Sequence, residues 1–150
     1  GRYVDTTPDN FRMTMDISVY SFTAVAQRAE KLMSDGGSML TMTYYGAEKV
    51  MPHYNVMGVA KAALEASVRY LAVDLGKQDI RVNSVCPGYI QTDMTKTAME
   101  LRGDEILSTT PFRRMGQPKE IAEMVCWLCS DRASYVTGAN YNVDGGYIAN

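Results

Sequence analysis

The sequence predicts an α/β domain: a parallel sheet with helices on both faces. Segments with helical and strand character alternate as helix, strand, helix, strand, helix, strand. Alternation of this kind requires crossover connections, and crossovers make the strands parallel. The composition agrees, since 46% hydrophobic and 21% charged residues in a chain of 150 are ordinary for a globule. Such a chain needs no disulfide or metal to hold a core. No repeat, low-complexity stretch or linker interrupts it, so residues 1–150 read as a single domain.

The elements follow in order. Residues 1–9 are polar and end in Thr7-Pro8-Asp9, a helix entry that Asp9 or Asn10 can cap. From Phe11 to about Met33 there is no Gly or Pro. Met15, Val19, Phe22 and Ala26 recur there at three- and four-residue steps, which predicts an amphipathic helix. Asp35-Gly36-Gly37 stops it. The run 38–43 is too short for a helix and reads as a buried strand, and 44–53 reads as a loop. A second helix is expected over 54–75, rich in alanine and ended by Gly76.

The β-rich run 80–86 stops at Pro87-Gly88 and reads as the next strand. Residues 89–117 look irregular, with a short helix between 96 and 107. A third helix is expected over 118–129 and a last strand over 140–143, closed by Asp144-Gly145-Gly146. In sheets of this kind ligands lie beyond the carboxyl ends of the strands. The loops that begin at Tyr44 and Pro87 therefore flank any site.

Charge and cysteines narrow the function. With 15 Lys+Arg against 17 Asp+Glu the net charge is −2, without the basic footprint of a nucleic-acid binder. No run approaches the ~18 unbroken apolar residues of a membrane span. The opening GRYVDTTPDN is not a signal peptide. A cytoplasmic protein is expected, with neither nucleic acid nor membrane as partner. Cys126 and Cys129 form a C-x-x-C, open to a redox or zinc reading. Zinc would need further ligands, and His53 is the only histidine. The helical spacing around the two thiols instead predicts small apolar residues packed on a helix, with no metal.

Tyr54 and Lys61 are separated by almost two helical turns, which would put them on one helix face. An ammonium near a phenol would lower the tyrosine pKa and favour proton donation to an oxygen gaining charge. The same spacing also fits a helix-start tyrosine and a solvated lysine.

The surroundings carry a resemblance. YYGAEK before Tyr54, the alanine-rich helix, RVNSVCPGYIQTDMT and VTGANYNVDGG together resemble the short-chain dehydrogenase/reductase family over essentially the whole chain. That family implies the C-terminal portion of a Rossmann-like parallel sheet flanked by helices. Through about Asn83, DISVYSF and LTMTYYGAEKVMPHYNVMGVAKAALEASVRYLAVDLG resemble the bacterial enoyl-acyl-carrier-protein reductase branch. Its Tyr-x6-Lys spacing replaces the common Tyr-x3-Lys, whose tyrosine position holds Met57 here. The common helix Asn is Ser18 and the common catalytic Ser is Tyr44. After about Asn83, CPGYIQTD and PFRRMGQPKEIAEMVCWLCSDRASYVTG look like the carbonyl-reducing branch, 3-oxoacyl-carrier-protein reductases and polyol dehydrogenases.

The resemblance implies an oxidoreductase of fatty-acid synthesis using NADH or NADPH on an acyl-carrier-protein thioester. Tyr54 would hold the thioester carbonyl, and Lys61 the nicotinamide ribose. Tyr44 would be a second active-site tyrosine lining the acyl pocket. Ile90 and Thr92 would hold the nicotinamide carboxamide, Gly88 would allow close backbone approach, and Met57 and Met94 would line the pocket. A homotetramer is implied by the final strand and Val143-Asp144-Gly145-Gly146. No Gly-rich pyrophosphate loop is found. In family terms the chain is therefore expected to begin at the fourth helix, without the N-terminal cofactor-loop half. Two other readings stay open: a ketone or alcohol dehydrogenase, and a non-catalytic, self-associating structural module.

Overall fold

The computed structural model describes residues 1–149. Its sheet has three parallel strands in the order β1-β2-β3. They are β1 (Gly37–Met42), β2 (Ile80–Pro87) and β3 (Asn140–Val143). Thr41 pairs with Ser84, and Ser84 with Asn140, so one register line crosses all three.

The first predicted helix is a continuous succession of three parts. These are α1 (Pro8–Met15), a π-helical turn (Asp16–Tyr20) and α2 (Ser21–Ala29). It starts earlier than expected because Thr7, not Asp9 or Asn10, is the cap. Its Oγ1 accepts from the Asn10 N–H at 3.2 Å. Pro8 then fills the first helical position, where no N–H is needed.

α3 (Val56–Leu75) buries Val56, Ala60, Leu64, Val68, Ala72 and Leu75. This four-residue stripe is the face laid on the sheet. Its lower half joins Ala26, Met39, Ile80 and Val82 in one core layer. The opposite layer gathers Val85 with Ile121 and Leu128 of α5 (Pro118–Cys129). Val82 and Val85 sit an odd number of residues apart on one strand, so they project to opposite faces. Complete burial of a side chain such as Val68 or Leu128 is worth about 1.5–3 kcal/mol.

Two departures from expectation have physical causes. α4 (Asp93–Ser108) is longer than the short helix expected over 96–107, and it is kinked at Arg102, where φ is −141°. Of the cysteines, only Cys86 is a buried hydrophobe, whereas Cys126 and Cys129 are exposed free thiols. The buried residues of α5 are Ile121 and Leu128, and the two thiols fall off that line. Among the described residues, no helix is long and apolar enough to cross a membrane.

Candidate active site

The carboxyl end of every strand leads into a tyrosine. Tyr44 and Tyr45 follow β1, Tyr89 follows β2 and Tyr147 follows β3. Tyr54, just before α3, meets Tyr44 edge-on at 5.0 Å between ring centroids. Tyr147 meets Tyr45 and Tyr89 in the same manner, each at 5.1 Å. Edge-to-face contacts at this distance fix ring orientation and add about 0.5–1.5 kcal/mol each.

Tyr54 is held by backbone rather than by a helix face. α3 begins at Val56, so the expected helix start at Tyr54 is two residues early, and the helix-face argument does not apply to it. Its neighbours His53 and Asn55 have φ of 65° and 45°, a region costly for residues with a Cβ. Its carbonyl accepts the Met57 N–H at 3.0 Å. Gly46 makes room for its ring: a Cβ there would lie 2.4 Å from Tyr54 Cδ1. A Cβ on Gly58 would lie 2.7 Å from the Gly46 carbonyl oxygen. Two glycines thus let the loop after β1 close on the start of α3.

Lys61 reaches the end of β1, where its Nζ donates to the Met42 carbonyl at 2.9 Å. An ammonium has three N–H donors, of which the Met42 carbonyl takes one. Burial lowers the Lys61 pKa, opposed by the charges of Cys86 and Glu65. The Tyr54 pKa is raised, first by burial and then by Cys86. This corrects the expectation that Lys61 lowers it: loss of solvent outweighs an ammonium that is turned toward the strand end. Tyr44 is pushed up to about 12, chiefly by burial and then by Tyr89 and Tyr54. Both phenols therefore stay protonated at neutral pH and keep a hydroxyl able to donate.

Below the tyrosines lies a polar bridge that sequence reasoning missed. Glu65 Oε1 accepts from Thr43 Oγ1 at 2.6 Å and from Asn140 Nδ2 at 3.3 Å. Asn140 Oδ1 in turn accepts from Ser84 Oγ at 3.2 Å. The bridge joins positions 22 and 75 residues apart, which no local pattern reports.

The remaining expected residues are distributed as follows. Met57 receives the Ser18 hydroxyl at its Sδ, 3.7 Å away, so the π-helical turn packs on the start of α3. Such turns are frequent at functional sites. Gly88 does allow a close approach, but of Asp144: a Cβ would lie 2.7 Å from Asp144 Cα. Ile90 bridges Gly116 and packs on the α5 core. Thr92 caps α4, its N–H donating to Thr95 Oγ1 at 3.0 Å. It opens into a cleft of about 1100 Å³ shared with Gln91, Lys96, Arg113 and Gln117. Met94 is 91% exposed and does not line that cleft. Tyr44, Tyr54, Lys61 and Met57 thus gather around the start of α3, while Thr92 and Met94 stand on α4.

The family described as enoyl-(acyl carrier protein) reductase matches residues 1–148, so the match continues across Asn83, where a change of branch was expected. An enoyl-[acyl-carrier-protein] reductase [NADH] of Rhizobium meliloti is 58% identical over 151 aligned positions, covering 98% of this chain and 55% of that protein. The Bacillus cereus enoyl-acyl carrier protein reductase, solved with NADP+ and an indole naphthyridinone, superposes with a TM-score of 0.93 at 46% identity. That match covers 100% of this chain and 59% of the other. A reductase of the same description from Anaplasma phagocytophilum, solved with NAD, gives 0.89 at 50% identity, covering 100% and 56%. The chain spans about half the length of the relatives it matches.

Proposed function

The chain belongs to the enoyl-(acyl carrier protein) reductase family, and on that premise we propose that it reduces the double bond of an enoyl thioester carried on acyl-carrier protein. The observation that carries the proposal is the Tyr54 ring, fixed edge-on against Tyr44 at the carboxyl end of the sheet, the same end that Lys61 reaches through the Met42 carbonyl. NADH, named for the Rhizobium meliloti relative, would supply the hydride that adds to the β-carbon. The residues present fit that cofactor, because Lys61 is half-buried at the strand ends with donors to spare for the nicotinamide ribose.

The protein's own part is to manage charge. As the β-carbon is reduced, negative charge gathers on the thioester oxygen, and the Tyr54 hydroxyl donates to it. A donor already in place is worth about 2.7–4 kcal/mol in such a transition state. Tyr44 donates beside it and walls the acyl pocket, with Met57 next to the start of α3. Ile90 and Thr92 would hold the nicotinamide carboxamide from the far side. The same reading carries a cytoplasmic location and a homo-oligomer.

The experiment is a substrate pair. With NADH present, crotonyl thioester is expected to be turned over and acetoacetyl thioester not. Turnover of the keto substrate alone would move the assignment to the carbonyl-reducing branch that residues 86–93 resemble. Turnover of neither, with no NADH binding, would favour the structural reading.

A further inference from the structure

We propose that Glu65 is a positioning residue of this site: it is the carboxylate that balances the Lys61 ammonium and fixes the end of β1 from which Tyr44 departs. The inference rests on the reductase reading only in what Lys61 and Tyr44 are for.

The geometry is a two-point grip. Lys61 and Glu65 are one turn apart on α3, an i,i+4 pair on one helix face. Lys61 takes the Met42 carbonyl, and Glu65 takes the hydroxyl of Thr43, the very next residue. Thr43 is buried, and its own N–H donates to the Val85 carbonyl at 2.8 Å, so it has no freedom to follow a displaced partner. Tyr44 comes next. Through Asn140 and Ser84 the same Oε1 is tied to the starts and middles of β3 and β2. One carboxylate oxygen is thus bonded to the residue after β1 and to β3, and through Asn140 it is linked to β2.

Charge supports the same assignment. Lys61 is faced by Cys86 of β2 and Glu65 of α3, the two groups whose negative charge would favour its charged form against burial. Cys86 is itself pushed up to about 12 by burial and so stays a neutral thiol at neutral pH. Glu65 is then the only anion left to Lys61 among these two. Glu65 is faced by Glu48 from the loop after β1 and by Arg69 and Lys61 on α3. Burial raises its pKa and the Thr43 bond opposes that rise.

Glu65→Gln isolates the charge, because a carboxamide oxygen still accepts from Thr43 and Asn140. The readout is the rate at which acetic anhydride labels Lys61 in the full chain without cofactor or substrate, measured by mass spectrometry with exposed Lys77 as reference. Only the neutral amine reacts. Labelling of Lys61 relative to Lys77 is expected to rise roughly threefold to tenfold in Glu65→Gln and to stay near the parent value in Glu65→Asp, which keeps the charge. An unchanged ratio in Glu65→Gln, or an equal rise in Glu65→Asp, overturns the inference. NADH affinity is measured on the same samples and is expected to fall in Glu65→Gln. Raised labelling with unchanged NADH affinity would count against Lys61 as the ribose holder and leave the role of Glu65 standing.

Discussion

The two ends of the sheet treat buried charge in opposite ways. At the amino end, Arg81 gives its donors to the carbonyls of Leu128, Ser130 and Val136. Asn83, fully buried, donates to Val136 and accepts from Ala139. These polar groups close the ends of α5 and the turn before β3, with their capacity used on backbone. At the carboxyl end Lys61 gives one bond to Met42, Tyr54 and Tyr44 keep protonated hydroxyls, and two residues beside Tyr54 hold positive φ. Polar groups spent on backbone stabilise a fold, whereas tyrosine hydroxyls and an ammonium gathered beside a strained backbone are arranged for something that binds.

The comparison is tested hardest by breaking the fold without the site. Leu128→Ala empties a fully buried position in the α5 core and is expected to cost about 2–5 kcal/mol of stability in urea titrations. Turnover per folded molecule should be retained. Loss of turnover in a still-folded variant would show that the two ends are not separate in function.

Tyr54→Phe attacks the other end. It keeps the ring contact with Tyr44 and Gly46 and removes the donor. The kcat for crotonyl thioester is expected to fall about 10²–10³-fold, with the thermal midpoint and NADH affinity nearly unchanged. A comparable loss of stability instead would make Tyr54 a packing residue like those at the amino end.

Lys61→Met should weaken NADH about 10- to 100-fold, the worth of a charge-assisted hydrogen bond. The sign of the pH effect follows from burial. The ammonium is the binding form, and its pKa lies below that of an ordinary lysine. NADH affinity is therefore present at neutral pH and is lost on the alkaline side sooner than an exposed lysine would lose it. Isothermal titration over alkaline pH reads this directly, and a flat profile would remove Lys61 from the cofactor site.

How much of this was legible depends on the range of the signal. β3 and α5 were readable because their marks are local: Pro118 opens α5 and Asp144-Gly145-Gly146 closes β3. Tyr54 and Lys61 were legible as a pair through their spacing and the resemblance, but not their protonation, which burial decides. The helix start at 54 was misjudged because Asn55 takes φ 45° and ψ −121°, a conformation that composition does not announce. Gly46 and Gly58 carry no sequence mark of their role, and only the fold shows Gly46 packed against the Tyr54 ring and Gly58 against the Gly46 backbone. Glu65 carries no local mark, because its partners Thr43 and Asn140 come from the residue after β1 and from β3.

The smallest expected effect bears on that strain. Asn55→Gly lets the backbone hold φ 45° without a Cβ, at the loss of the side-chain bond from Asn55 Nδ2 to the Gly1 carbonyl at 2.7 Å. That bond is exposed and weak, so chemical denaturation is expected to show a gain of up to about 1 kcal/mol. If the strain at positions 53 and 55 is what clamps Tyr54 against Tyr44, the same variant should lose several-fold in kcat while NADH affinity holds. Stability and activity would then move in opposite directions at the carboxyl end, whereas at Leu128 stability alone falls. A gain in stability with kcat unchanged would assign the clamping of Tyr54 to Gly46 and Gly58, and the strained turn would carry no part of the site.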